Sequence, residues 1–183
     1  MFTGWGGPFG TVTAFNRQVA GYVGLAGGIH FPRVGRGEIY LGAALHYLML
    51  PVHIDKDMPD DTYKLNANHG GLVFGGVFAR VGERVRFGAW GLLAGGGACL
   101  QNRQNGECRD RNGFFVGQPE LFVHVVVQRH VALSLGAGFR FVAASAWSGP
   151  SSWALAGPVA TLGILFGDFF KGRPEKKPGK KDR

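Results

Sequence analysis

From Val131 to Ala143 the chain alternates strictly. Val131, Leu133, Leu135, Ala137, Phe139, Phe141 and Ala143 share one parity, and Ala132, Ser134, Gly136, Gly138 and Arg140 begin the other. Period-two alternation puts such sets on opposite faces of a β-strand. It recurs along the chain and predicts eight strands, at 7–15, 19–32, 38–53, 67–80, 84–99, 114–127, 131–145 and 153–167. In the second, Val19, Val23, Leu25, Ile29 and Phe31 share a face; in the third, Ile39, Leu41, Leu45, Tyr47 and Met49 do. The sixth sets Phe115, Leu121, Val123, Val125 and Val127 against Gln118, Glu120 and His124, with Phe122 interrupting the polar side. No 3.6-residue spacing survives, and glycine and β-branched residues fill the interiors of the runs, which excludes helices. Without strand–helix alternation a parallel α/β sheet is excluded as well.

The connections sharpen this. "VGER" and "QRH" are short, "DKDMPDDTYKL" and "NRQNGECRDRNG" are long, and "SGPSS" is intermediate. From the second connection on, tight and longer links alternate, as in an up-and-down barrel with turns at one end and loops at the other; only "NRQ" is short where a loop belongs. A soluble lipocalin-like barrel needs a charged outer face. Here the bulky face carries almost no charge, and the opposite face holds Gly, Ala, Ser and the few ionisable residues. Lysine is absent from the first 55 residues and from the last six predicted strands. The pattern predicts an all-β, eight-stranded antiparallel transmembrane barrel, apolar outside, with a narrow lumen of small residues and a few charges. Each strand has the roughly 9–11 residues a span needs. Aromatics near strand ends are expected to form interfacial girdles: Phe15, Phe31, Tyr47, Phe114, Phe115, Trp147, Trp153, Phe166, Phe169 and Phe170.

Composition adds one anomaly: 32 of 183 residues are glycine, without a collagen period and placed inside apolar runs. The net charge of +8 is uneven, because the segment from Lys171 to Arg183 holds seven basic and two acidic residues. Residues 171–183 are therefore expected to form a disordered basic tail after a barrel over 1–170. The strands offer no basic face for nucleic acid. Met1 leads directly into "FTGWGGPFG", without the charged and long apolar regions of a secretory leader, which fits a cytosolic chain or a mature form with a start methionine. No apolar window is long enough for a membrane helix. Cys99 and Cys108 flank a polar loop, as in a hairpin disulfide formed in an oxidising compartment.

Several stretches together resemble a family of small bacterial outer-membrane barrels. They are "GWGGPFGTVTAFNRQVAGYVGLAGGIHF", "LNANHGGLVFGGVFA", "QPELFVHVVV" with "VALSLGAGFRFV", and "SGPSSWALAGPVATLGILFGDF". The resemblance runs to about Phe170 and implies an eight-stranded barrel in the outer membrane without assigned chemistry. Such barrels usually finish on an aromatic residue; here Asp168 stands where an apolar one is expected, and the basic tail follows.

The candidate chemistry is sparse. Arg140, Glu120, Gln118, His124, Arg86, Glu38 and His46 point inward by parity, as a polar network or as the lining of a narrow channel. Folding the hairpin about "QRH" sets Arg140 opposite Gln118 and diagonal to Glu120, the carboxylate expected to pair with the buried guanidinium. His53 with Asp55, Asp57, Asp60 and Asp61 forms an acidic cluster without EF-hand spacing, read as a solvated loop rather than a metal site. His69, His53, Ser145, Ser148 and Asp55 lie near the loop end, where a lipid-modifying enzyme would need them, but no nucleophile-elbow motif occurs. Arg33, Arg36, Arg80, Arg84 and Arg129 cluster at the tight-turn end as a periplasmic basic rim. The expected protein is a monomeric, cofactor-free, non-enzymatic barrel. It contacts outer-membrane lipids and meets a ligand or protein at loops 54–65, 101–113 and 146–152. The alternatives are a narrow pore, a lipid-modifying enzyme and a soluble lipocalin-like binder.

Overall fold

The computed structural model describes residues 2–15, 18–34, 37–50, 63–102, 105–144 and 156–169. They form eight strands: β1 Thr3–Phe15, β2 Gln18–Val34, β3 Gly37–Leu48, β4 Tyr63–Val81, β5 Val85–Asn102, β6 Cys108–Gln128, β7 Val131–Ala144 and β8 Gly157–Gly167. Each pairs antiparallel with its neighbour in sequence, and β1 closes on β8 from Trp5↔Gly167 to Thr13↔Val159. Closure leaves no sheet edge, so the strands satisfy one another's backbone groups without water.

Alternation runs along the strands and breaks at β-bulges, as between Val77 and Ala79. In β3, Glu38, Tyr40, Ala44, His46 and Leu48 are buried, while Ile39, Leu41, Leu45 and Tyr47 are exposed. The exposed set includes Leu25, Leu72, Phe78, Leu93, Phe115, Leu121, Leu135 and Leu162, a continuous apolar outer wall. The buried set mixes charge with aromatic rings: Arg86, Glu120 and Arg140 alongside Trp5, Tyr22, Tyr40, Phe114 and Phe122. The barrel is therefore inside-out relative to a soluble one.

The expectation of a small-residue lumen needs correction. The lumen holds large rings, and glycine makes room for them. Phe122 lies directly across from Gly88, Phe114 from Gly96, Phe9 from Gly24 and Trp90 from Gly75. A Cβ on Gly24 would sit 2.5 Å from the tip of the Phe9 ring, and one on Gly96 would sit 2.8 Å from that of Phe114. On Gly88 it would run into the Phe122 ring. The Phe9, Phe114 and Phe122 rings take the space that a side chain on the facing glycine would fill.

Other boundaries shift for local reasons. β3 stops at Leu48 rather than 53, because the amides of Met49 and Leu50 turn to the carbonyl of Gly21. β5 and β6 extend past their predicted ends, so most of the expected loop 101–113 is strand, joined by the Cys99–Cys108 disulfide. The turn after β4 is tight and starts at Gly82, whose φ of 61° suits a residue without a side chain. Of the expected girdle, Phe114 and Phe169 point inward and are buried. Phe114 has luminal parity, and Phe169 follows the last strand across the barrel mouth. Tyr47, Phe115 and Phe166 do face outward, and Phe31 is half-buried. The side chain of Phe15, and Trp147, Trp153 and Phe170, lie outside the described residues, as do loop 146–152, most of loop 54–65 and the tail.

Glycine position should therefore decide tolerance. Gly88→Ala, beneath Phe122, should cost about 1–3 kcal/mol through overpacking. Gly117→Ala should be near neutral, since a Cβ there meets nothing within 4 Å. Urea midpoints of the refolded barrel check this; equal losses at the two positions would contradict it.

Candidate functional site

The filled lumen is where the chain concentrates its polar chemistry, in two groups with an aromatic layer between them. At the tight-turn end, Glu38 collects the cations. His30 Nε2 lies 2.6 Å from Glu38 Oε2, Arg86 Nη1 donates to the same oxygen at 2.8 Å, and the Tyr40 hydroxyl donates to it at 3.2 Å. Arg80 Nη2 reaches Glu38 Oε1 at 2.6 Å. Arg86 also donates through Nη2 to the carbonyl of Phe169 and stands 5.5 Å from the centre of its ring. The end of the last strand is thus held from inside the barrel. The backbone bonds Gly167 N–H to His130 O and Phe169 N–H to Arg129 O hold it from the β6–β7 turn.

Arg80 belongs to this group because of a β-bulge. The β4–β5 register shifts between Val77 and Ala79, which brings Arg80 opposite the inward-facing Arg86. Arg80 stays exposed at the tight-turn end, and its guanidinium reaches inward to Glu38. Arg84 and Arg129 are exposed at that end, and Arg129 approaches Asp168 at 3.4 Å. The side chain of Arg33, and Arg36 entirely, lie outside the described residues.

Above this group the rings close the bore. Phe122 stacks on His124 at 4.0 Å with 16° between planes, and Trp90 packs on Phe122 at 4.9 Å. Trp5 meets Tyr40 edge-on at 5.7 Å. His124 is fully buried, opposite Ser134.

The second group lies toward the loops. Arg140 Nε donates to Gln118 Oε1 at 2.7 Å, and Gln118 Nε2 donates to Glu120 Oε1. Thr161 also donates to Glu120 Oε1, at 3.2 Å, and the Trp90 indole N–H donates to Oε2 at 3.3 Å. The expected direct Arg140–Glu120 pair is replaced by a relay through Gln118. Parity had set Gln118 directly across from Arg140, so its amide is met first, whereas Glu120 stands opposite Gly138. The guanidinium lies over the Tyr22 ring, 4.4 Å from its centre. His46 and His69, directly opposed on β3 and β4, stack at 4.4 Å with 9° between planes. A cavity of about 40 Å³ lies among Thr11, His46, Trp90, Gln118, Glu120 and Thr161, and one of about 20 Å³ borders Tyr22, His69 and Arg140.

All seven expected luminal residues are thus buried, in two clusters rather than one: Glu38 and Arg86 in the first, Glu120, Gln118, Arg140 and His46 in the second, with His124 between them. Parity alone would have added His30, Tyr40, Trp5, Trp90 and Tyr22, which share the inward phase of their strands. His69, expected at the loop end, is an inward residue stacked on His46. His53, Ser145, Ser148, Asp55, Asp57, Asp60 and Asp61 lie outside the described residues. Among the described residues no three His, Cys, Asp or Glu side chains converge as a metal site.

The fold has solved counterparts. The chain is similar to Neisserial surface protein A, with a TM-score of 0.53 and 10% identity over 92% of this chain and 97% of that one. It is similar to the attachment invasion locus protein Ail of Yersinia pestis, with a TM-score of 0.51 and 9% identity over 91% and 97%. Ail is also solved in complex with the heparin analogue sucrose octasulfate, at the same TM-score of 0.51. No protein-family model and no curated protein sequence matches the chain.

The two clusters predict distinct mutational behaviour. Glu38→Ala, which strands the buried Arg86, should cost about 3–5 kcal/mol. A double-mutant cycle between Gln118→Ala and Arg140→Met should show a coupling of roughly 1–3 kcal/mol, larger than that between Glu120→Gln and Arg140→Met. Urea titration of the four variants checks the relay; a larger Glu120–Arg140 coupling would restore the direct pair.

Proposed function

We propose that this chain, which has the fold of small eight-stranded outer-membrane β-barrels, is an integral protein of the bacterial outer membrane with a structural or loop-mediated interaction role, and that it conducts nothing. The observation that carries this reading is the cross-section: an apolar wall outside, and inside it a bore occupied by Arg140, Tyr40, His30 and His124, each no more than 2% exposed. Eight strands leave a lumen that side chains fill, and the cavities of about 40 and about 20 Å³ among the described residues are small.

In this reading the tight turns and the basic tail are periplasmic. Arg84 and Arg129 meet lipid phosphates there, and the loops face outward. Tight turns on the periplasmic side and longer loops outside are the usual disposition of such barrels. The loop-end strands β5 and β6 outreach β7 and β8 and are tied by Cys99–Cys108, which gives a rigid platform for a partner. In the sequence from 103 to 111, Arg103, Arg109 and Arg111 outnumber Glu107 and Asp110. Ail's complex with a heparin analogue supports an acidic ligand as the class to try first. The non-catalytic reading is supported by His69, which is buried against His46 rather than presented at a loop. The barrel works as a monomer.

The refolded chain should migrate faster on an unheated gel than after boiling and produce no conductance steps in a planar bilayer. Discrete steps would establish the pore instead; solubility without detergent would point to the lipocalin-like binder.

A further inference from the structure

Among the described residues Arg140 touches no carboxylate directly and reaches Glu120 only through Gln118. It is 2% exposed. Its Nε–H is spent on Gln118 and its face on Tyr22, but the buried Nη2 has no acceptor among the described residues. Glu120 is the one described carboxylate in the loop-side half of the lumen, and its oxygens are taken by Gln118, Thr161 and Trp90. The other buried carboxylate, Glu38, is held by His30, Arg80 and Arg86 beyond the aromatic layer. A buried guanidinium without an anionic partner is costly, and a buried donor without an acceptor adds to that cost.

The cavity of about 20 Å³ lies against this group. His69 lines the same cavity, and neither of its ring nitrogens has a protein partner among the described residues. Tyr22 adds a phenol to the wall, and the rest, including Leu65, Phe114 and Val142, is apolar. A single water needs roughly 10–15 Å³ measured this way, so the space suits one atom-sized guest.

We propose that this cavity is a binding site for a small monovalent anion of the halide class, chloride in solution. A guanidinium offers donors and no acceptor. A neutral imidazole supplies one N–H, and Arg140 Nη2 supplies the charged donor. The volume of about 20 Å³ excludes sulfate and phosphate. The anion is the counterion of Arg140 and fixes the loop-side half of the plug in one arrangement. The site is separate from the larger cavity around Glu120, whose carboxylate would repel it.

Bromide replaces chloride in the test. Crystals of the full chain in detergent, soaked in bromide, should give an anomalous peak between Arg140 and His69. In solution the unfolding midpoint of the wild-type barrel should rise with chloride and saturate, at an ionic strength held constant with isethionate. Arg140→Gln should remove that rise. If Arg140→Gln does not fold, the wild-type series and the bromide peak decide. A water without anomalous signal at this position, together with a midpoint indifferent to chloride, would overturn the site.

Discussion

The width of the bore governs the rest of the structure. An eight-stranded barrel has room inside for side chains and little else, so what enters must be matched to what stands opposite. Here the match is between ring and glycine: Phe122 on Gly88, Phe114 on Gly96, Phe9 on Gly24, Trp90 on Gly75. The excess of glycine is therefore the complement of luminal aromatics rather than a sign of an empty interior. Gly138 belongs to the same set, since its bare backbone accepts the stem of Glu120.

The charges obey the same limit. Hydrocarbon outside leaves the lumen as the one dry place for ionisable side chains, and a dry site demands partners. The chain gathers them at two levels. Glu38 gathers two guanidiniums and an imidazole near the turns, whereas Glu120 is reached by Arg140 only through Gln118. Between the two levels lie the rings of Trp5, Trp90, Tyr40 and Phe122. The lower level also clasps Phe169, just past the strand that closes the barrel, so Arg86 serves both Glu38 and the chain beyond β8.

Much of this was legible in the sequence. Strict alternation in Val131–Ala143 specified both faces of β7, and the sparse charge on the bulky parity specified which face met lipid. The Cys99–Cys108 pairing followed from spacing, and the neighbourhood of Gln118, Glu120 and Arg140 from folding one hairpin. What escaped were features that depend on register across strands. The bulge at Val77/Ala79, which sets Arg80 opposite Arg86 and within reach of Glu38, is a single-residue slip that parity cannot foresee. The ring–glycine pairs exist only once β5 is set against β6 and β4. Phe169 escaped for a different reason: it lies past the end of the final strand, where alternation no longer applies.

The inside-out assignment carries every other conclusion, and lipid contact at defined outward positions tests it. Leu93, Leu135 and Leu162, on three different strands, are all exposed on the wall. With each replaced in turn by cysteine and spin-labelled in proteoliposomes, oxygen dissolved in the bilayer should relax the label more strongly than a water-soluble nickel chelate at all three positions. Stronger relaxation by the nickel chelate at these positions would place the wall in water and contradict the barrel's assignment to the membrane.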